Sequence, residues 1–199
     1  ITHVGYTHLA QFANREALAE AKVEILEGNP APEHVFINQS DDFCDFLMDR
    51  ARARGIAIYG FNGADAFAQN RAAVVTLARH FGLADAQIDA GLRTVLPSPH
   101  RLIHHALPGG GMLIDDSYNA NPHSMRAACM YAKDAAGSQP VGLMLGDMLE
   151  LGFESQRLHQ ELADWIAGNL SPAWVLWVGV EGKNIRWPTN FLVNNVSDW

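Results

Sequence analysis

The chain has 199 residues, 48% of them hydrophobic, and its 22 acidic and 14 basic side chains give a formal net charge of −8. This composition supports a packed core and excludes a disordered chain. The acidic balance excludes a nucleic-acid surface, which needs a basic patch. No apolar run approaches the ~20 residues of a membrane span. With two cysteines and no signal-peptide pattern at the start, a cytoplasmic protein is expected.

The first half of the sequence alternates short strand patterns with helix patterns. We predict strands at 1–5, 34–38 and 56–59, and helices at 15–27, 41–54, 67–81 and 85–93. Asn14 is expected to cap the first helix, with Gly28 ending it. Leu-Pro-Ser-Pro at 96–99 then breaks the pattern. We therefore predict one domain at 1–96 and a second at 97–199.

The second half shows the alternation more clearly. We predict strands at 101–106, 112–116, 141–145 and 174–178, the first two joined by the turn Pro-Gly-Gly-Gly at 108–111. Asn121 followed by Pro122 predicts a helix start, and Gly137 its end. A further helix is lined by Leu158, Leu162, Trp165 and Ile166, with Gly168 after it. The alternation predicts an α/β fold whose parallel sheet carries helices on both faces.

Two polar blocks carry the functional information. Residues 115–125 read Asp-Asp-Ser-Tyr-Asn-Ala-Asn-Pro-His-Ser-Met, and residues 145–152 read Leu-Gly-Asp-Met-Leu-Glu-Leu-Gly. Each block follows an apolar run and opens a helical pattern. That order predicts polar clusters at the carboxyl ends of adjacent strands, where open α/β sheets bind ligands.

The two blocks, in this order, resemble the Mur ligase family, and within it the branch that acts on UDP-N-acetylmuramoyl-tripeptide and D-alanyl-D-alanine. The resemblance implies a cytoplasmic, ATP-dependent peptide ligase of peptidoglycan synthesis that uses ATP and Mg²⁺. It implies an α/β fold in which a remnant of the central ATPase domain precedes a Rossmann-like C-terminal domain with a mainly parallel sheet. No nucleic-acid partner and no membrane span are expected, and a monomer is the expected state.

The resemblance also implies that the chain covers only part of the family's enzyme. No Gly-x-x-Gly-Lys-Ser/Thr sequence is present, so the loop that cradles phosphates is missing. The N-terminal domain has no counterpart, and the C-terminal domain is expected to be incomplete at its end. The chain alone is therefore expected to be inactive.

Two alternatives remain open. The first is another amide ligase of the same fold, such as a folylpolyglutamate synthetase, against which the Asp-Ser-Tyr-Asn sequence argues. The second is a non-catalytic binding domain that keeps the fold, which the missing phosphate loop favours. A phosphate loop in upstream coding sequence would distinguish the enzyme from the binding domain.

His8 and Lys22 are the candidate metal ligands. A histidine after a strand often caps or packs, but the resemblance implies that His8 supports magnesium. Lys22 falls on a predicted apolar stripe with Leu18, Ala21 and Ile25, so its ammonium either reaches water or loses its charge. The resemblance implies that Lys22 is carbamylated and acts in catalysis as an anion that helps hold magnesium.

Asn70 and Arg101 are the candidate nucleotide contacts. Asn70 matches the second asparagine of a family motif that approaches the adenine, although Ala66 and Phe67 replace its His and first Asn. A polar position on an amphipathic helix is the alternative. Arg101 stands in Pro-His-Arg where the family has Pro-Gly-Arg. The resemblance implies a contact with the ATP phosphates, which suits a guanidinium; a solvated surface arginine is the alternative.

The first polar block supplies four further candidates. Asp115 and Asp116 end an apolar strand, where two adjacent carboxylates are unfavourable unless solvated, paired or near a cation. The resemblance places the block against nucleotide and metal, with Asp116 as the catalytic carboxylate and with Tyr118 and Asn119 near the ribose. The alternative is structural: Asn119 and Asn121 form a turn and a helix cap.

The second block supplies Asp147 and Glu150. Their spacing of three places them on one side of a helical turn. The resemblance places this loop beside the incoming peptide substrate or at the domain interface. Favourable charges at a helix N-terminus are the alternative. His159, which follows the block, is expected to be structural.

Overall fold

The structure, a computed structural model, describes residues 1–96, 98–188 and 191–196. The chain forms two compact units. The first contains Ile1–Gly5 and Phe12–Leu96, and the second contains Tyr6–Gln11 and the described residues after 97. Both units combine helices with parallel strands, which confirms the predicted α/β class. Among the described residues, no helix has both the length and the apolar character that a membrane crossing requires.

The first unit is built on two parallel strands. Its elements are α1 (Arg15–Val23), β1 (His34–Asn38), α2 (Cys44–Arg52), β2 (Ala57–Phe61), α3 (Ala66–His80) and α4 (Asp85–Thr94). Side chains alternate across β1: Val35 and Ile37 are buried in the core that α1 and α2 share. On the opposite face, the Phe36 and Tyr59 rings contact His80 of α3. Helices therefore cover both faces of this small sheet, as predicted.

The apolar face of α1 differs from the predicted stripe. Leu18 and Val23 are buried, but Ile25 is 66% exposed, and Leu26 takes the inward position. The reason is that the chain tightens into a 3₁₀ turn at Glu24–Glu27, which has ~3.0 residues per turn instead of ~3.6. The tighter winding rotates position 26 towards the core and position 25 away from it.

Residues 1–5 do not form the predicted strand. Ile1 does exchange backbone hydrogen bonds with Phe36 and Asn38 of β1. No ladder continues beyond that residue. The segment therefore pairs with the sheet edge through the backbone of Ile1, and the Asn38 side chain donates to the Thr2 carbonyl at 2.9 Å.

The second unit contains an antiparallel hairpin and a parallel sheet. Its elements are β3 (Ile103–Ala106), β4 (Met112–Asp115), α5 (Pro122–Ala136), β5 (Gly142–Gly146), α6 (Ser155–Asn169), β6 (Trp174–Val178) and β7 (Val193–Val196). Strand β4 pairs with β3, whereas β5 pairs with β6, and β6 with β7. The prediction that the two polar blocks follow adjacent strands is therefore wrong for the described residues.

Helices α5 and α6 pack on one face of the parallel sheet. Leu143 and Leu145 are buried beneath them, while Met144 between these two is 66% exposed. The prediction of helices on both faces is therefore wrong for the described part of this unit. Helix α6 also continues through Gly168. Because the helix ends at Asn169, Gly168 does not mark the helix end.

Candidate functional site

Asp115, the last residue of β4, is held as an anion by its neighbours. Its Oδ1 accepts hydrogen bonds from the Ser117 hydroxyl at 2.7 Å and the Ser117 N–H at 3.0 Å. Its Oδ2 lies 2.7 Å from Nδ1 of His100. The hydrogen bonds from Ser117 and His100 lower the pKa of Asp115 to about 2. Asp115 is therefore a fixed negative charge that ties the block to the turn before β3.

Asp116 has the opposite electrostatic environment. Its half-buried carboxylate accepts a hydrogen bond from the backbone N–H of Leu102 at 3.2 Å. Burial raises the pKa of Asp116 above its usual value, and the Leu102 bond and the charge of Arg101 only partly oppose that effect. The two adjacent carboxylates thus differ in how readily they take up a proton.

This difference predicts two separate titrations. Because the pKa of Asp115 is lowered, its ionised carboxylate stabilises the fold at pH values above its ordinary pKa of 3.8. This contribution is lost as the pH falls through about 2. The raised pKa of Asp116 favours the folded state when that carboxyl is protonated, and this contribution is lost as the pH rises through the folded-state pKa. Carbon-detected NMR of the side-chain carboxyls should give a midpoint near 2 for Asp115 and one above 3.8 for Asp116. A shared midpoint for the two would contradict this assignment.

Arg101 lies over the ring of Tyr118. Its guanidinium carbon is 4.2 Å from the ring centroid, within the range of a cation–π contact. The N–H of Tyr118 also donates to the carbonyl of His100 at 3.0 Å. Both Arg101 and Tyr118 are exposed, so the guanidinium donors remain open to an anionic ligand. One cluster therefore contains the Arg101 guanidinium, the Tyr118 ring and the carboxylates of Asp115 and Asp116.

The two asparagines of the block have distinct placements. Asn121 caps α5, accepting from the N–H groups of His123 at 3.1 Å and Ser124 at 2.9 Å. Its structural assignment as a helix cap is confirmed. Asn119 is exposed beside Tyr118, and its side-chain oxygen accepts from the N–H of Ala120 at 2.9 Å.

Asp147 is engaged in local structure. Its Oδ1 accepts from the Trp177 indole at 2.7 Å, and its Oδ2 accepts from the N–H groups of Val180 at 2.8 Å and Glu181 at 3.2 Å. The carboxylate thus joins the end of β5 to the turn after β6. A direct contact of Asp147 with a peptide substrate stays a prediction.

Glu150 and His8 pair within the second unit. The carboxylate of Glu150 bonds Nδ1 of His8, 142 positions away in the sequence. The Glu150 carbonyl accepts from the N–H of Ala10 at 2.8 Å. Both side chains of the pair are more than a third exposed, so the pair is accessible to solvent and ligand.

His159 is buried beside the second block. Its Nε2 accepts from the N–H of Met148 at 2.9 Å, so the proton lies on Nδ1, which is 2.7 Å from the carbonyl of Ser155. Both ring nitrogens are therefore used in supporting the loop, in agreement with a structural role.

The other candidates lie in the first unit. Lys22 is half-buried in the last turn of α1, and Asn70 is exposed on α3. Within residues 1–96, 98–188 and 191–196, no three His, Cys, Asp or Glu side chains are grouped to hold a metal ion. The structure thus gathers Arg101, Asp115 and Asp116 into one cluster and leaves the metal ligands as predictions. Sequence reasoning missed His100, whose bond to Asp115 joins segments 15 residues apart.

Together, these features define a class of α/β protein with an exposed arginine and carboxylates grouped at the end of a strand. A family model of the Mur ligase middle domain matches residues 1–92, and one described as Mur ligase, glutamate ligase domain, matches residues 100–186. The chain belongs to the Mur ligase family.

The chain is similar in sequence to a bacterial ligase and in structure to two solved proteins. The chain is 27% identical over 189 residues to UDP-N-acetylmuramoyl-tripeptide–D-alanyl-D-alanine ligase of Bacillus subtilis (strain 168), a match covering 81% of the chain and 41% of the relative. MurF from Acinetobacter baumannii superposes with a TM-score of 0.80 at 24% identity, over 92% of this chain and 47% of that one. MurF from Thermotoga maritima in complex with ADP gives 0.73 at 19% identity, over 98% and 51%. The chain thus spans about half or less of these relatives.

Proposed function

We propose that this chain is part of a cytoplasmic ATP-dependent ligase that joins D-alanyl-D-alanine to UDP-N-acetylmuramoyl-tripeptide in peptidoglycan synthesis. The observation that carries the proposal is the cluster of Arg101 and Tyr118 with the two carboxylates, in a chain of the Mur ligase family. The name of the Bacillus subtilis relative and the ADP in the Thermotoga maritima structure support it. The same proposal includes a monomeric state and two domains. Residues 1–96 would be part of the middle domain, and residues 97–199 part of the C-terminal domain.

The reaction would proceed through an acyl phosphate. A carboxylate oxygen of the tripeptide attacks the γ-phosphorus of ATP, and the bond to the leaving ADP oxygen breaks. The amine of D-alanyl-D-alanine then attacks the acyl carbon and loses a proton, and the carbon–oxygen bond breaks to release phosphate. Arg101 would stabilise charge on the phosphoryl oxygens, since a guanidinium can bind two of them at once.

The remaining candidates take positions around that reaction. Tyr118 and Asn119 would line the ribose, and Asn70 would approach the adenine. Asp116 would lie against the nucleotide, its raised pKa reflecting a half-buried carboxylate. Glu150 would face the incoming dipeptide, and Asp147 would hold the loop that presents it.

Magnesium enters the proposal with ATP, and its chemistry is neutralisation of phosphate charge. Magnesium prefers oxygen ligands, and the unmodified side chains of the described residues group no metal site. In the part of the chain that the structure describes, the unmodified side chains therefore offer the ion no preformed group of three ligands. A carbamate on Lys22 would add the oxygens that are lacking, with His8 as the second predicted ligand.

The isolated 199-residue chain should bind ATP weakly or not at all. Its sequence has no Gly-x-x-Gly-Lys-Ser/Thr loop, the main source of backbone N–H groups for the phosphates. Isothermal titration calorimetry with ATP and magnesium would measure this. Micromolar, magnesium-dependent binding would contradict the prediction. If a weak heat of binding is measured, the Arg101→Ala variant would show whether it comes from the cluster that contains Arg101.

The full-length product of the coding sequence provides the test of function. ADP release should require both UDP-N-acetylmuramoyl-tripeptide and D-alanyl-D-alanine. ADP release with a folate and glutamate instead would identify the alternative amide ligase. Dipeptide or UDP-sugar binding without ADP release would identify a non-catalytic Mur-ligase-like binding domain.

A further inference from the structure

The turn before β3 has an unusual backbone. His100 has φ of 59° and Leu102 has φ of 50°, so two non-glycine residues flanking Arg101 adopt left-handed conformations. Side chains with a Cβ rarely adopt this region because the Cβ crowds the following carbonyl. Such a conformation persists where surrounding contacts hold it in place.

Three contacts from one short segment hold this turn, in addition to the bond from the Arg101 N–H to the Ser98 carbonyl at 3.1 Å. The carboxylate of Asp115 bonds the His100 imidazole at 2.7 Å. The carboxylate of Asp116 accepts from the Leu102 N–H at 3.2 Å. The Tyr118 N–H donates to the His100 carbonyl at 3.0 Å. Both left-handed residues are thus bonded to the segment that also carries the ring beneath Arg101.

We propose that His100 is a positioning residue for Arg101, and that its imidazole, bonded to Asp115, holds the left-handed turn that places the Arg101 guanidinium over Tyr118. The imidazole acts through Arg101 and needs no contact with a ligand. A glycine at this position would adopt the same backbone without a side-chain bond. The inference depends on the proposed function only for the ligand that Arg101 meets.

The 199-residue chain itself allows a direct test by NMR. A proton above an aromatic ring is shifted by the ring current, so the side-chain protons of Arg101 report its stacking on Tyr118. His100→Ala removes the bond to Asp115 but keeps a Cβ, so the left-handed conformation remains unfavourable and nothing from the side chain holds it. The ring-current shift should therefore be lost. His100→Gly removes the bond and the steric penalty together, so the shift should be largely retained. His105→Ala, at an exposed histidine on β3, is the matched control and should change nothing.

A second pair of variants tests whether Asp115 acts through His100. Asp115→Ala should abolish the Arg101 shift in the native background. In the His100→Gly background, the same substitution should have much less effect, because the turn no longer needs the bond. Unchanged shifts in His100→Ala would overturn the proposal. Equal loss in the alanine and glycine variants, in chains with native circular dichroism, would overturn it too.

Activity of the full-length ligase separates this inference from the proposed function. His100→Ala should raise the KM for ATP roughly tenfold with a smaller change in kcat, the effect of weakening one charge-assisted phosphate contact. His100→Gly should restore the KM. If the NMR results hold but Arg101→Ala leaves the KM for ATP unchanged, the phosphate role of Arg101 fails and the positioning role of His100 stands.

Discussion

Replacing Asp116 by alanine in the full-length ligase should lower the rate of ligation roughly a hundredfold or more, the loss expected when reacting groups are misplaced. Asp116 follows β4 directly and lies in the same cluster as Arg101. The fold should survive, because within the described ranges Asp116 makes one long hydrogen bond, of 3.2 Å to Leu102. Phosphate release and thermal melting together measure the two effects.

Asp116→Asn is the matched control. The amide oxygen can still accept from the Leu102 N–H, but the negative charge is gone. If the charge acts in the reaction, the asparagine and alanine variants should be similarly slow with native melting temperatures. Near-native phosphate release in the asparagine variant would show that Asp116 only fixes the turn.

Elements determined by neighbouring residues could be predicted from the sequence. The start of α5 is the clearest case, because Asn121 caps it through its own chain and Pro122 occupies the first helical position. Asn14 and α1 behave in the same way, with the Asn14 oxygen accepting from the Ala17 N–H at 2.8 Å. These signals act over three or four residues, so a single sequence contains all of the information.

Predictions failed where the outcome depends on winding or on distant partners. A constant helical period places Ile25 on the apolar stripe of α1, but the 3₁₀ turn after Val23 changes that period. Strand β7 was missed because Asn194 and Asn195 interrupt its apolar pattern, and the strand forms by pairing with β6. The separation of β4 from β5 into different sheets likewise depends on pairings across the whole unit.

The same distinction between neighbouring and distant residues applies to the candidate site. The block containing Asp115 and Asp116 is contiguous and could be identified from the sequence. Its partners are not contiguous with it: Asp116 meets Leu102 across 14 residues, and His8 meets Glu150 across 142. The positive φ of His100 has no signature in composition or periodicity, because histidine is common in ordinary backbone conformations as well.

Lys22 should be carbamylated in the full-length ligase, and Lys22→Ala should remove nearly all activity. Lys22 is half-buried beside Val23 in the last turn of α1. Across the described residues, no ion pair involves its ammonium. A neutral Lys22 amine can add to CO₂ and release a proton, which replaces a cation by an anion with two oxygens. Magnesium prefers such ligands.

Three measurements distinguish this modification from an ordinary surface lysine. NMR of the ligase in ¹³C-labelled bicarbonate should show a carbamate carbon that disappears in Lys22→Ala and remains in Lys183→Ala, at an exposed lysine. Short carboxylic acids should partly restore the activity of Lys22→Ala by supplying the lost anion. Lys22→Arg should stay inactive, because a guanidinium keeps the positive charge and forms no carbamate. Full activity of Lys22→Arg would rule out the carbamate and leave Lys22 as a side chain that reaches solvent from the edge of the core.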